Sequence, residues 1–172
     1  MHKGLWLVIV AVAVALAATP ASAGEHRLGF GVHYWKTVDE IADELPEFEL
    51  EDDGLTGIVS YQYVAGFIRF EAAAEYFESG FQGSDAWAVS PQVYVLAGRG
   101  FYGGVGMGVT YSDFADGDWS NPYFIAKVGI DLLLLPKIHL DINADYRFAE
   151  WEQLDDYDTD TITMGATVRF TF

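Results

Sequence analysis

The chain has 172 residues, a formal net charge of −17 and no cysteine. Its nine Lys and Arg residues are outnumbered by 26 Asp and Glu residues. This excludes nucleic acid as the expected partner, because phosphate backbones are bound by clustered Lys and Arg side chains. The absence of cysteine excludes a disulfide framework, so stability must come from the fold itself.

Residues 1–23 have the pattern of a cleaved signal peptide. Lys3 supplies a positive charge, residues 5–18 are apolar, and residues 21–23 (ASA) give the small-residue pattern at which signal peptidases cut. The alternative, an uncleaved transmembrane helix, needs about 20 apolar residues, and this run is shorter. We therefore expect residues 24–172 to form the mature domain.

Eight segments of the mature chain alternate between apolar and polar residues, with the period of two that indicates a β-strand with one apolar face. They are residues 26–35, 55–64, 67–76, 86–96, 101–111, 121–132, 138–149 and 161–172. Their lengths match the roughly 9–11 residues of a tilted membrane-spanning strand. Pro91 cannot donate to a strand ladder, so we expect a bulge there. The pattern predicts an all-β fold, an eight-stranded antiparallel up-and-down transmembrane β-barrel.

The connections between these segments alternate in length. The long ones are residues 36–54, 77–85, 112–120 and 150–160, and the short ones are residues 65–66, 97–100 and 133–137. The long connections hold 20 of the 26 acidic residues, and the short ones hold none. Transmembrane barrels have short periplasmic turns and longer extracellular loops, so we expect the acidic loops to be extracellular.

The polar face of the predicted strands carries charges of both signs in near balance. Buried charges must be paired or solvated, because their desolvation is very costly. An eight-stranded barrel is just wide enough inside to be filled by side chains. We therefore predict that an interior ion-pair network with a few trapped waters plugs the lumen. Its members are Arg69, Glu71, Glu75, Lys127, Asp131, Asp141, Asp145, Arg147 and Arg169, with Arg27 near the periplasmic rim.

Glycine and aromatic residues also occupy particular positions. Gly104, Gly106 and Gly108 share one inward face, where they either leave room for guanidinium groups opposite or ease the strong twist of a small barrel. Aromatic residues concentrate near the predicted strand ends, which predicts girdles at the level of the lipid headgroups. The girdle residues are Tyr34, Trp35, Tyr61, Tyr76, Trp87, Tyr111, Trp119 and Trp151.

Residues 103–111 (GGVGMGVTY), 121–123 (NPY), 145–148 (DYRF) and 168–172 (VRFTF) resemble the small outer-membrane β-barrels of the OmpA/OmpX type in Gram-negative bacteria, the outer membrane protein beta-barrel domain proteins. The resemblance covers the whole mature chain and concerns its architecture. It implies delivery by periplasmic chaperones and insertion by the β-barrel assembly machinery, with Phe170 and Phe172 as the assembly signal. We also expect a monomer in contact with outer-membrane lipid and lipopolysaccharide.

These features predict a non-enzymatic integral outer-membrane protein with a structural role or an interaction role through its acidic loops. Residues 36–54 form the longest of these loops and are the first place to expect a partner. A narrow or gated channel for ions or small solutes is the second hypothesis. A soluble lipocalin-like barrel, whose interior would be apolar, is a further alternative.

A lipid A-modifying enzyme is the least favoured hypothesis. It would need a nucleophile or base with an orienting partner at the outer rim. His139 and Asp141 share an inward face but start from a short turn, at the opposite end. His33 is near the outer end, yet no serine accompanies it in a recognisable motif. We therefore predict no catalytic residue.

The acidic loops also raise a divalent-cation alternative. Carboxylates that could bridge Ca²⁺ or Mg²⁺ occur at Asp113, Asp116 and Asp118 and at Asp155, Asp156, Asp158 and Asp160. Neither group forms a complete calcium-binding loop. A solvated acidic surface is the favoured interpretation, and no metal or cofactor is predicted.

Overall fold

The computed structural model describes residues 24–38, 53–78, 87–112, 118–148 and 160–172. The predicted signal peptide, residues 1–23, and most of the four long connections lie outside these ranges. The regular elements of the described chain are all β-strands. None of the described residues belongs to a helix that is long and apolar enough to cross a membrane.

The described residues form ten strands. These are β1 (Glu25–Val38), β2 (Asp53–Ala65), β3 (Ile68–Phe77), β4 (Ala88–Gly98), β5 (Phe101–Gly108), β6 (Tyr111–Ser112), β7 (Asp118–Trp119), β8 (Tyr123–Leu135), β9 (Ile138–Phe148) and β10 (Asp160–Thr171). The eight long strands pair antiparallel in chain order, and β10 pairs with β1 to close the sheet. The short β6 and β7 extend the β5–β8 hairpin. The prediction of an eight-stranded antiparallel barrel is confirmed.

The barrel closes with a stagger of ten residues. A path through directly paired residues that starts at Arg27 returns to β1 at Thr37. On the way it passes Gln62, Glu71, Tyr94, Gly106, Ile125, Arg147 and Thr161. Strands of closed barrels tilt by about 35–45°, and eight of them enclose a space that side chains can fill.

The two ends of the barrel differ. The β2–β3, β4–β5 and β8–β9 connections are two-residue turns at residues 66–67, 99–100 and 136–137, and we call this side the turn end. The opposite side, the loop end, carries the long connections. Gly66 and Lys137 have positive φ angles of 66° and 69°. Glycine adopts this conformation freely, whereas Lys137 adopts it at a cost.

The barrel is polar inside and apolar outside. Among the described residues, 20 polar or charged side chains are buried against 12 apolar ones, whereas 27 large apolar side chains are exposed. In β10, for example, Arg169 is buried between the exposed Val168 and Phe170. This arrangement contradicts the lipocalin-like alternative, because a barrel of that kind buries its apolar side chains.

Strand β8 is longer than the alternation predicted. It continues to Leu135, with a register shift against β9 between Leu133 and Leu135, instead of ending at Leu132. The side chains of Leu132–Leu135 are all exposed. An unbroken apolar run hides the period of two, so the sequence pattern stopped short of the true strand end.

The bulge expected at Pro91 is absent. The pairs Val89–Tyr111 and Gln92–Gly108 keep the same register on either side of it. The irregularity lies in the neighbouring pair of strands. Between the Gly108–Tyr123 pair and the Tyr111–Trp119 pair, the two residues 109–110 lie opposite the three residues 120–122. Val109, which the alternation places on the apolar outer face, is buried in this region.

Candidate functional site: the barrel interior

The structure places all nine predicted interior charges inside the lumen and arranges them in three tiers. At the turn end, Asp131 is the centre of the first tier. Its Oδ2 accepts from Arg27 at 2.5 Å and from Arg69 at 2.8 Å, and its Oδ1 lies 2.7 Å from His139 Nδ1. Both carboxylate oxygens are therefore engaged.

The middle tier joins two cations to three carboxylates. Arg169 donates to both oxygens of Glu71 at 3.1 and 3.2 Å, and its Nε lies 3.5 Å from Asp141. Lys127 Nζ lies 3.4 Å from Asp145 and 3.8 Å from Glu71. All five side chains are almost completely buried, so their charges depend on these contacts within the lumen for compensation.

Neutral side chains complete the middle tier. Gln62 donates to Glu71 at 2.8 Å, and Tyr102 donates to Asp141 at 2.8 Å. Lys127 also lies over the ring of Tyr94, with 4.6 Å between Nζ and the ring centroid. Such contacts reduce the cost of taking charges out of water.

The third tier, toward the loop end, is centred on Glu75. This carboxylate pairs with Arg147, lies 2.5 Å from His33 Nδ1 and accepts from Gln92 at 2.8 Å. Arg147 is also positioned over the rings of Phe77 and Tyr123. His33 and Glu75 are fully buried, so no solvent-facing catalytic pair results.

Above this tier, toward the loop end, the lumen holds an apolar cluster. Trp35, Phe77 and Ala88 are buried against one another, with 6.4 Å between the two ring centroids. The prediction that Trp35 belongs to the outer girdle is therefore wrong, because Trp35 lies on the same inward face of β1 as His33. Trp151 lies outside the described residues.

The other girdle residues are placed mostly as expected. Tyr34, Tyr76, Trp87 and Trp119 are exposed on the outer surface at the loop end. Tyr111 joins two of them, with centroid distances of 5.8 Å to Trp87 and 5.3 Å to Trp119. Tyr61 instead lies toward the turn end, where its hydroxyl contacts His26.

Glycines make room for rings rather than for guanidinium groups. A Cβ on Gly106 would overlap the ring of Tyr94, and one on Gly108 would approach Tyr123. A Cβ on Gly104 would meet the backbone of Val95 and Leu96, so none of the three glycines has an arginine atom among its nearest neighbours. Large lumen side chains face directly paired glycines at several places in the described chain, among them Tyr94 with Gly106, Tyr102 with Gly129, His33 with Gly165 and Trp35 with Gly54.

Buried polar atoms without a hydrogen-bond partner gather on one side of the lumen. In the described chain they belong mainly to β9, β10, β1 and β2, and none belongs to β3, β4, β5 or β8. They include Asp141 Oδ2, Asn143 Oδ1, Asp145 Oδ1, Thr163 Oγ1, Thr167 Oγ1 and His33 Nε2. Polar atoms in this setting are the usual partners of internal water.

The interior contains partners that the sequence reading did not assign. Gln62, Gln92 and Ser60 hold the carboxylates and Arg169 in place, and each lies at an inward position of its strand. The period of two could have found them, since they share a face with the predicted charges. Their exact partners depend on the closing register, which the sequence does not reveal.

The enzyme and metal alternatives gain no site from the described residues. His139 bonds to Asp131 rather than to Asp141, with which it shares a strand face. No group of three His, Asp or Glu side chains in the described ranges is arranged to hold a metal ion. The side chains of the two acidic clusters considered as alternative cation sites lie outside the described residues.

Neither a protein-family model nor a curated protein sequence matches the chain. Solved structures do match. Neisserial surface protein A is 13% identical with a TM-score of 0.63, and the match covers 86% of this chain and 97% of that one. Ail of Yersinia pestis, in complex with the heparin analogue sucrose octasulfate, is 14% identical with a TM-score of 0.51, over 88% of this chain and 100% of Ail.

The N-terminal β-barrel domain of OprF from Pseudomonas aeruginosa is 10% identical with a TM-score of 0.50, covering 87% of this chain and 99% of that domain. At these identities the likeness concerns the fold. The chain therefore has the fold of the small outer-membrane β-barrels, as the sequence resemblance implies.

Proposed function

We propose that this chain, which has the fold of the small outer-membrane β-barrels, is a non-enzymatic integral outer-membrane protein with a plugged lumen. The observation that carries the proposal is the three-tier network, in which the nine predicted charges are engaged by partners from other strands. Conduction would require these contacts and the Trp35–Phe77 cluster to separate. The acidic loops would then carry the protein's structural or interaction role outside the cell.

The same proposal includes the route to the membrane. Residues 1–23 would be removed as a signal peptide, and periplasmic chaperones and the β-barrel assembly machinery would deliver and insert a monomer. Phe170 and Phe172 are exposed on the outer surface, and Phe172 N donates to His26 O at 3.0 Å. The exposed apolar side chains on the outer surface of the barrel would contact outer-membrane lipid and lipopolysaccharide.

The first experiment tests insertion and folding. Cells expressing the chain are fractionated, and the outer-membrane fraction is run on SDS gels with and without boiling. We expect the protein in that fraction, with unboiled samples migrating faster because the closed barrel resists the detergent. Recovery in the soluble fraction without a heat-dependent shift would refute the proposal.

Conductance across planar bilayers separates the plug from the channel. A plugged barrel gives no steady ion-sized openings. Glu71→Gln changes the buried middle tier, whereas Glu78→Gln is its matched control because Glu78 is exposed at the end of β3. Steady openings in the unaltered protein that change in Glu71→Gln but not in Glu78→Gln would establish the channel instead.

The channel remains the second candidate because unpartnered polar atoms line one side of the lumen. If the lumen widened along this strip, its polar atoms would line a path for water or small ions. For the enzyme alternative, we expect lipid A mass spectra to be unchanged when the chain is expressed. A new deacylated or acylated species would show an enzymatic activity.

A further inference from the structure

The turn end contains a cavity of about 420 Å³ that is distinct from the filled lumen above it. Its charged walls are Glu25, Arg27, Arg69, Arg99, Asp131 and His139. The first tier of the network forms its floor, so the cavity lies between that tier and the outside of the barrel. Its volume falls within the range of about 300–1,000 Å³ that is typical of small-molecule sites.

The charges around this cavity do not cancel. Asp131 is engaged by Arg27 and Arg69, and Glu25 Oε2 accepts from Arg27 at 2.6 Å. Arg99 has no ion-pair or hydrogen-bond partner among the described residues. Three guanidinium groups therefore face two carboxylates, which leaves a positive surplus in a chain whose formal net charge is −17.

Donors remain available in the same place. Arg69 uses Nη1 for Asp131 and Nε for the carbonyl of Gly98, and no bond to its Nη2 is present among the described residues. Arg99 is exposed on the β4–β5 turn and has all of its donors available. Guanidinium groups present paired N–H donors that match the oxygens of phosphate.

The remaining walls indicate the size and polarity of the ligand. Val64 and Leu133 provide apolar surface, and Gly66 and Gly100 bring backbone close to the opening. The space exceeds what a bare phosphate ion needs, so it fits a phosphate that carries a small organic group. We propose that the turn-end cavity binds a small phosphate ester, for which glycerol phosphate is the probe, through Arg99 and the unused donor of Arg69.

This chemistry has two sources. One is a free glycerol phosphate, and the other is the headgroup of an anionic phospholipid in the leaflet that surrounds the turn end. Only the lipid source depends on the proposed membrane placement. The site itself requires only the folded barrel, which migration on unboiled gels verifies independently.

The test uses the purified full-length barrel in a non-ionic maltoside detergent, titrated with sn-glycerol 3-phosphate in a calorimeter. We expect saturable binding that glycerol does not reproduce. Arg99→Gln should weaken it about tenfold, the effect of losing a charge-assisted hydrogen bond. Glu25→Gln should tighten it, because it removes a carboxylate from the cavity wall.

Lys137→Gln is the matched control. It removes the same charge from a neighbouring turn at the same end, but Lys137 does not line the cavity. If Lys137→Gln weakens binding as much as Arg99→Gln, the effect is one of general surface charge and the proposal is wrong. Absence of saturable binding in the unaltered protein, with the barrel folded, would also overturn it.

A second arm distinguishes the sources. The barrel is reconstituted in phosphatidylcholine nanodiscs that contain a minor fraction of phosphatidylglycerol, then extracted, and the retained lipid is measured by mass spectrometry. Enrichment of phosphatidylglycerol that is lost in Arg99→Gln and kept in Lys137→Gln identifies the headgroup as the ligand. If the unaltered protein, Arg99→Gln and Lys137→Gln retain equal phosphatidylglycerol, while glycerol phosphate binds in detergent, the ligand is the free ester.

Discussion

Ser90 supplies the hydrogen bond that Pro91 cannot donate. Val109 N donates to Pro91 O at 3.2 Å, and the return bond of this pair would come from an N–H that proline lacks. The Ser90 hydroxyl donates instead to Val109 O at 3.4 Å from inside the barrel. The Ser90 hydroxyl thus takes the place of the missing donor, and the register on both sides of Pro91 is the same.

The Ser90–Pro91 relationship predicts coupling between the two positions. Ser90→Ala should lower the free energy of unfolding by about 1–2 kcal/mol in the unaltered barrel. In a Pro91→Ala background the loss should be smaller by about 0.5–1 kcal/mol, because the new N–H can bond to Val109. Urea unfolding of the four proteins in vesicles measures this cycle, and strictly additive effects would show that Ser90 acts elsewhere.

Removing the charge of Asp131 should destabilise the barrel strongly. Asp131→Asn leaves Arg27 and Arg69 without their shared carboxylate, and breaking a buried pair in this way costs about 3–5 kcal/mol. Glu25→Gln is the control, because Glu25 is half exposed and contributes at most about 1 kcal/mol. Urea unfolding of both variants measures the loss in the free energy of unfolding. Equal losses would mean that Asp131 does not hold the first tier together.

The turn at Gly66 should resist substitution for a backbone reason alone. A Cβ on Gly66 would meet no atom within 4 Å, yet its φ is 66°, so Gly66→Ala should cost about 1–2 kcal/mol. Gly57→Ala, equally uncrowded but without a positive φ, should cost little. Comparable unfolding midpoints for the two variants would contradict this account.

The terminal aromatic should matter more for assembly than for general contact with lipid. Phe172→Ala should reduce the rate at which purified assembly machinery inserts the chain into liposomes. The heat-dependent gel shift measures this rate. Phe101→Ala is the matched control, because both rings are exposed at the turn end, at 70% and 78%. If insertion slows equally in both variants, Phe172 acts only through its apolar surface and is not a specific assembly signal.

Much of the fold could be predicted because strand alternation is a local property. The period of two distinguishes the two faces of a strand without knowledge of its neighbours, so Arg147 and Arg169 could be placed inside from sequence alone. Where the period fails, as at Leu132–Leu135, the predicted strand ended too early. Trp35 lies near a strand end, where a girdle aromatic is expected, but its position on the inward face of β1 puts it in the lumen.

The partners within the lumen could not be predicted. Glu75 meets His33 from β1 and Arg147 from β9, and this meeting depends on the ten-residue stagger of the closed sheet. A different stagger would join other residues across the same lumen. The sequence therefore predicts which charges are inside, while closure decides which of them pair.

The pairing of large lumen side chains with glycines on neighbouring strands constrains how the sequence can change over generations. Gly165 cannot gain a side chain while His33 keeps its present position, because a Cβ there would overlap the imidazole. Shrinking His33 would not be enough there, because the Cβ would also meet the backbone oxygen of Val32. At Tyr102–Gly129 the three nearest atoms all belong to the Tyr102 side chain, so a lineage that enlarges Gly129 must shrink Tyr102. Correlated replacements among descendants of this chain would therefore record the strand register itself.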